Sequence, residues 1–176
     1  MSSFRSVFVT VGTTQFEDLV DVILSDEILT LLQSCQCKFL RIQHGAGKKI
    51  NAMKMERVEN RFGIKLDCYD FKANILSDIT WSDLVISHAG AGSCIEVLTH
   101  RKPLIVVVND KLMHNHQTEL AQQLFIDGHL LYCSPHTLTE TLADLNKKVT
   151  SLKPYEPGHN NMMKFVNHLN TMMGFE

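Results

Sequence analysis

Asp83-Leu84-Val85-Ile86-Ser87-His88-Ala89-Gly90-Ala91-Gly92-Ser93-Cys94-Ile95-Glu96-Val97-Leu98 is the stretch that decides the fold. Residues 83–87 read as a short buried strand, Gly90-Ala91-Gly92 as a tight turn, and 93–101 as an amphipathic helix. A strand, glycine turn and helix in that order let backbone N–H groups and the positive end of the helix dipole face an anion, because no side chain stands in the way. The same arrangement occurs near the N-terminus, where Gly12-Thr13-Thr14 follows Val7-Phe8-Val9-Thr10-Val11. Two such turns suggest a ligand with more than one phosphate.

Apolar runs and helical patterns alternate along the rest of the chain. Strands are predicted at 6–11, 38–43, 64–69, 83–87, 104–108 and 129–133. Helices are predicted at 15–33 with a break near Ser25, then at 49–61, 73–80, 93–101, 115–127 and 137–148. This alternation predicts an α/β fold, a doubly wound parallel sheet of Rossmann-like type with helices on both faces. The order 3-2-1-4-5-6 would place strands 1 and 4 side by side, at the switch point where such sheets bind ligands. Thr14/Glu17, Ser93/Glu96 and Thr137/Glu140 each have the spacing of a helix capping box. Residues 1–150 read as the sheet domain. Residues 151–176 read as an extended connector, Lys153 to Gly158, and a last helix near 161–173 with Met162, Phe165, Val166 and Leu169 on one face. That face suits docking on a partner, where methionine adapts readily.

Composition narrows the function. The 176 residues carry a net charge of −2, with 44% hydrophobic and 20% charged residues, as in a globular domain. No dense basic run offers a footprint for nucleic acid. The longest apolar run, Leu104 to Val108, is far below the ~20 residues that span a bilayer. Met1-Ser2-Ser3-Phe4-Arg5 leads almost directly into a strand, so no secretory leader is expected. Five cysteines without a CxxC pair fit reduced thiols of the cytosol. His114-x-His116 lacks the spacing of a metal motif, and no metal or other cofactor is expected.

Two common nucleotide motifs are absent. Gly45-Ala46-Gly47-Lys48-Lys49 has neither the spacing nor the hydroxyl of a Walker loop. A dinucleotide fingerprint needs three glycines after strand 1 and an acid at the end of strand 2, where Gly12 and Gln43-His44 stand instead.

A nucleotide sugar fits better, and here four ordered motifs resemble a known family. They are 9–14, 83–93, Lys102-Pro103-Leu104-Ile105-Val106-Val107, and Asn115-His116-Gln117 through Leu120-Ala121. The chain resembles the catalytic-subunit family of the eukaryotic transferase that adds the second GlcNAc, from UDP-GlcNAc, to dolichol-diphosphate-GlcNAc. That family is similar to the C-terminal, donor-binding half of two-domain GT-B glycosyltransferases. The resemblance implies inverting, metal-independent transfer in which two helix N-termini steady the leaving UDP. It also implies a membrane-anchored subunit that binds the acceptor and holds the complex at the cytosolic face of the endoplasmic reticulum. Two rivals are the donor half of a bacterial-type split transferase with another lipid-linked acceptor, and a non-catalytic module that binds nucleotide sugars.

The resemblance assigns roles residue by residue. Glu96 matches a glutamate that holds the ribose hydroxyls, although Ser93-x-x-Glu96 also reads as a cap. Gly12, Thr13, Thr14, Gly90, Ala91, Gly92 and Ser93 match turns facing the diphosphate. Phe71 and Lys72 match a loop whose backbone reads the uracil; a core aromatic is the alternative for Phe71. His116 and Gln117 match a pair contacting the sugar hydroxyls, with histidine in place of the first amide. His88 lies where it can meet a phosphate or serve the structure alone. Relatives carry a basic residue where this chain has Ala46, with Lys48 and Lys49 just beyond.

Overall fold

A computed structural model describes residues 3–109 and 116–156, the side chains of residues 116 and 117 excepted. Strands β1 (Ser6–Thr10), β2 (Phe39–Gln43), β3 (Lys65–Tyr69), β4 (Leu84–His88), β5 (Leu104–Val107) and β6 (Leu131–Cys133) form one parallel sheet in the order β3-β2-β1-β4-β5-β6. This is the doubly wound order expected from the sequence. Strands β1 and β5 are buried throughout, whereas β2 and β3 include exposed positions. Central strands of a parallel sheet are covered on both faces and so read as unbroken apolar runs.

Alternation along each strand divides the core in two. Val7, Val9, Ile42, Ile86 and Val107 face a layer that includes Leu19 of α1 (Glu17–Ile23), Leu29 of α2 (Asp26–Ser34), Val58 of α3 (Ala52–Phe62) and Leu138 of α7 (Leu138–Leu142). Phe8, Val85 and Val106 face the other layer, with Ile79 of α4 (Leu76–Trp81), Val97 of α5 (Ala91–Thr99) and Leu124 of α6 (His116–Ile126). The period of two in the strands therefore places helices on both faces.

Helix starts differ from the sequence reading. The break at Ser25 is present, and its hydroxyl accepts the Ile28 N–H at 3.3 Å to cap α2. Asn51 caps α3 in the same way at 2.9 Å. None of the three expected capping boxes forms. Thr14 donates instead to the Val11 carbonyl at 2.8 Å, inside its own turn, and α1 starts behind Phe16. Helix α5 begins at Ala91, with Gly90 as its flanking residue, so Ser93 is already the third helical residue and Glu96 lies a turn further on. Thr137 closes a short 3-10 turn, Pro135–Thr137, and pairs with Ser134 rather than Glu140. The helix expected at 137–148 is split by Asp144, at φ 58°, into α7 and α8 (Leu145–Thr150).

Residue 151 onward begins on the domain itself. The Lys153 N–H donates to the Gly128 carbonyl at 2.8 Å, and Tyr155 packs on the second core layer. The helix expected near 161–173 lies outside the described residues. Among the described residues, no helix is long and apolar enough to cross a membrane.

Candidate functional site

Strand pairing brings Thr10, Gln43 and Tyr69 side by side, with Ser87 on the other side of Thr10. Both glycine turns therefore leave the sheet at one edge, flanking the switch point between β1 and β4. Gly12, at φ +64°, turns the chain after β1, and its N–H donates to the Thr10 hydroxyl at 3.1 Å. The β2 loop packs directly on this turn: the Ala46 N–H donates to the Thr14 carbonyl at 3.1 Å, and a Cβ on Gly45 would lie 2.3 Å from that oxygen. Thr14 thus holds the turn together, while Thr13 faces the recess beside it.

The two turns meet at His88. A Cβ on Gly12 would lie 2.8 Å from the ring's Cε1, and one on Gly90 would lie 2.5 Å from Nε2. Glycine is required at both positions to seat the imidazole, whatever ligand they face. Burial pushes the His88 ring below its ordinary pKa, opposed in part by the Thr10 backbone, so the ring is neutral at pH 7. Its buried Nδ1 has no hydrogen-bond partner among the described residues. Cys94, a helical turn away, has its thiol pushed up to about 12 by burial and is no nucleophile.

The recess brings Gly12, Thr13, Phe71, Lys72, Ser93 and Glu96 together; these are six of the residues predicted from the sequence. Gly90, Ala91 and Gly92 form the start of α5, ahead of Ser93, and are not among the residues that line the recess. Gly92 is exposed, with open space where a Cβ would be. The two helix ends are not equivalent. The first turn of α1 carries Glu17 and Asp18, which already answer its positive end. The first turn of α5 carries no acid.

Glu96 is half-buried on α5 and faces the recess, too far along the helix to reach back to its start. Phe71 is 62% exposed at the mouth, so it is no core aromatic. The Lys72 ammonium is 2.9 Å from Asp78 Oδ2 and 2.7 Å from Ser77 Oγ. His116 and Gln117 open α6, but their side chains lie outside the described residues. Lys48 and Lys49 line a different recess with Phe16, Val20 and His44, where Lys54 approaches Asp21 at 3.7 Å.

Three residues stand outside the sequence prediction. Gln43, 2% exposed, lines the recess and accepts the Thr10 hydroxyl at 2.6 Å. A buried amide at the end of a strand whose other buried positions, Leu40 and Ile42, are apolar was the signal for it. Asn74 lines the recess, and its side-chain oxygen accepts the Leu76 N–H at 2.7 Å, just ahead of α4. Asp78 lies behind, 1% exposed. Among the described residues, no three His, Cys, Asp or Glu side chains gather as metal ligands.

Comparisons with known proteins agree on the family. The profile of the glycosyltransferase family 28 C-terminal domain matches residues 6–172. The Mus musculus protein named UDP-N-acetylglucosamine transferase subunit ALG13 is 46% identical over 135 residues, which is 77% of this chain and 11% of its own length. An NMR solution structure of ALG13 superposes with a TM-score of 0.65 at 31% identity, over 93% of this chain and 95% of that one. MurG of Acinetobacter baumannii shares the fold, with a TM-score of 0.58 at 17% identity over 85% of this chain and 42% of its own. With the profile matched over residues 6–172, from the first strand of the sheet onward, this chain belongs to the glycosyltransferase family 28 C-terminal domain family.

Proposed function

We propose that the recess binds UDP-GlcNAc and that the chain supplies the donor half of an inverting, metal-independent glycosyltransferase. The acceptor is dolichol-diphosphate-GlcNAc, presented by a membrane-anchored subunit at the cytosolic face of the endoplasmic reticulum. The observation that carries this reading is Glu96: it faces the recess, has no part in starting α5, and sits between a turn suited to phosphates and the exposed Phe71 loop. A carboxylate there accepts hydrogen bonds from vicinal ribose hydroxyls. The uracil lies against residues 71–75 and the diphosphate against Thr13 and the free N–H groups of α5. Those N–H groups stabilise the charge that grows on UDP as the sugar leaves. GlcNAc extends towards His116 and Gln117.

The base that takes the acceptor proton is assigned to the partner. Among the described residues that line the recess, the acid–base groups are Glu96, given to the ribose, and Lys72, held by Asp78. The names of the relatives support the donor and the word "subunit". A radiolabelled transfer assay, run with and without the candidate membrane subunit, tests the reading. Transfer only with both proteins, and undiminished in EDTA, is expected. Transfer by this chain alone, or strict need for a divalent cation, would overturn it.

A further inference from the structure

Asp78 is the most enclosed carboxylate in the described part of the fold, and it does not line the recess. It receives three donors from three elements. Arg41 of β2 reaches Oδ1 at 2.7 Å, and Tyr69 of β3 and Lys72 of the following loop reach Oδ2 at 2.8 and 2.9 Å. Burial alone would raise its carboxyl, but the hydrogen bonds from Lys72, Tyr69 and Arg41 outweigh it and hold the carboxyl below its ordinary value. Arg41 is itself fixed by Asp67 at 2.8 Å and by the face of Trp81, 4.3 Å away.

Only one of the three donors belongs to the recess. The loop from Phe71 to Asn74 has local turns at its ends, where Asp70 accepts the Phe71 N–H and Asn74 the Leu76 N–H. Ile75 is anchored by packing on the core. Between these points, among the described residues, the loop has one longer side-chain tether, the Lys72 ammonium on Asp78 and Ser77. An ammonium on a four-carbon stem is normally free to roam, so a buried carboxylate that captures it fixes the loop backbone.

We infer that Asp78 is a positioning residue for base selectivity: by holding Lys72 it sets the 71–75 loop in the shape that favours uracil over a purine. This rests on the proposed nucleotide reading of the recess. Lys72 then acts as a strut, and the diphosphate contacts made by the two glycine turns are independent of it.

Affinities of the full chain for UDP and ADP, measured by titration calorimetry, test this. The wild type should prefer UDP. Lys72→Met, which keeps the stem and leaves Asp78 with Arg41 and Tyr69, should cut the UDP/ADP ratio five- to tenfold while ADP affinity stays within twofold. Asp78→Asn should cut the ratio similarly, the double variant should be no worse than either single one, and Lys72→Arg should restore it. Equal losses for UDP and ADP in Lys72→Met would make Lys72 a phosphate ligand and overturn the inference. So would a Lys72→Met chain that folds and keeps the wild-type ratio, even if Asp78→Asn fails to fold. A wild-type chain with no preference for UDP would instead overturn the nucleotide reading, and this inference with it.

Discussion

Glu96 and His88 show how a residue's role follows from where its element begins. Had α5 started behind Ser93, Glu96 would be a capping residue; starting at Ala91, the helix carries it into the recess. Glu96→Gln keeps the shape and removes the charge. UDP-GlcNAc affinity should therefore fall by about 1.5–3 kcal/mol, as for loss of a charge-assisted hydrogen bond. Fold stability should change by no more than about 0.5 kcal/mol, because no cap is lost. Calorimetry together with thermal melting separates the two effects.

His88 makes a prediction in pH. Its folded pKa lies below its ordinary 6.5 because burial penalises the charged ring. Between the two values the unfolded chain binds more protons than the folded one, so stability rises with pH. Acidification below about 6.5 should therefore lower the melting temperature, the loss levelling off below the folded pKa. His88→Asn should flatten that part of the profile. Asp78 contributes separately and lower: stability it provides above 3.8 is lost as pH falls through its lowered folded value.

The elements were largely legible in the sequence, and their ends were not. All six strands were legible from apolar runs and alternation, most strongly in β1 and β5, which are buried throughout, and strand–helix alternation then pointed to the doubly wound order. The caps failed because Ser, Thr and Glu at that spacing are common, and tertiary contacts decided each case. Thr14 is taken by its own turn and the β2 loop, Ser93 by the length of α5, and Thr137 by Ser134. The real caps, Ser25 and Asn51, lacked a glutamate three residues on and so left no box to read. Asn51→Ala should cost about 1 kcal/mol in chemical denaturation. Ser93→Ala should cost less than about 0.5 kcal/mol, the reverse of what the capping pattern implies. In the site, residues within the glycine motifs were readable, whereas Gln43 and Asp78 required strand pairing that connects positions far apart in sequence.

At the scale of the molecule, the sheet order puts two glycine turns, the 71–75 loop and the start of α5 around one opening, while a second recess opens beside α1. The first contains Ser93 and Glu96 of α5. The second combines Lys48, Lys49 and Lys54 with Glu17 and Asp21, and gathers none of the predicted site residues. A UDP titration of the isotopically labelled chain in EDTA, followed by amide chemical shifts, tells them apart. Saturable shifts should appear at Gly12, Thr13, Phe71, Lys72, Ser93 and Glu96, with little change at Lys48 and Lys49. Shifts centred instead on Glu17, Lys48 and Lys49, or no saturable shifts at all, would contradict a UDP-sugar site at the switch point.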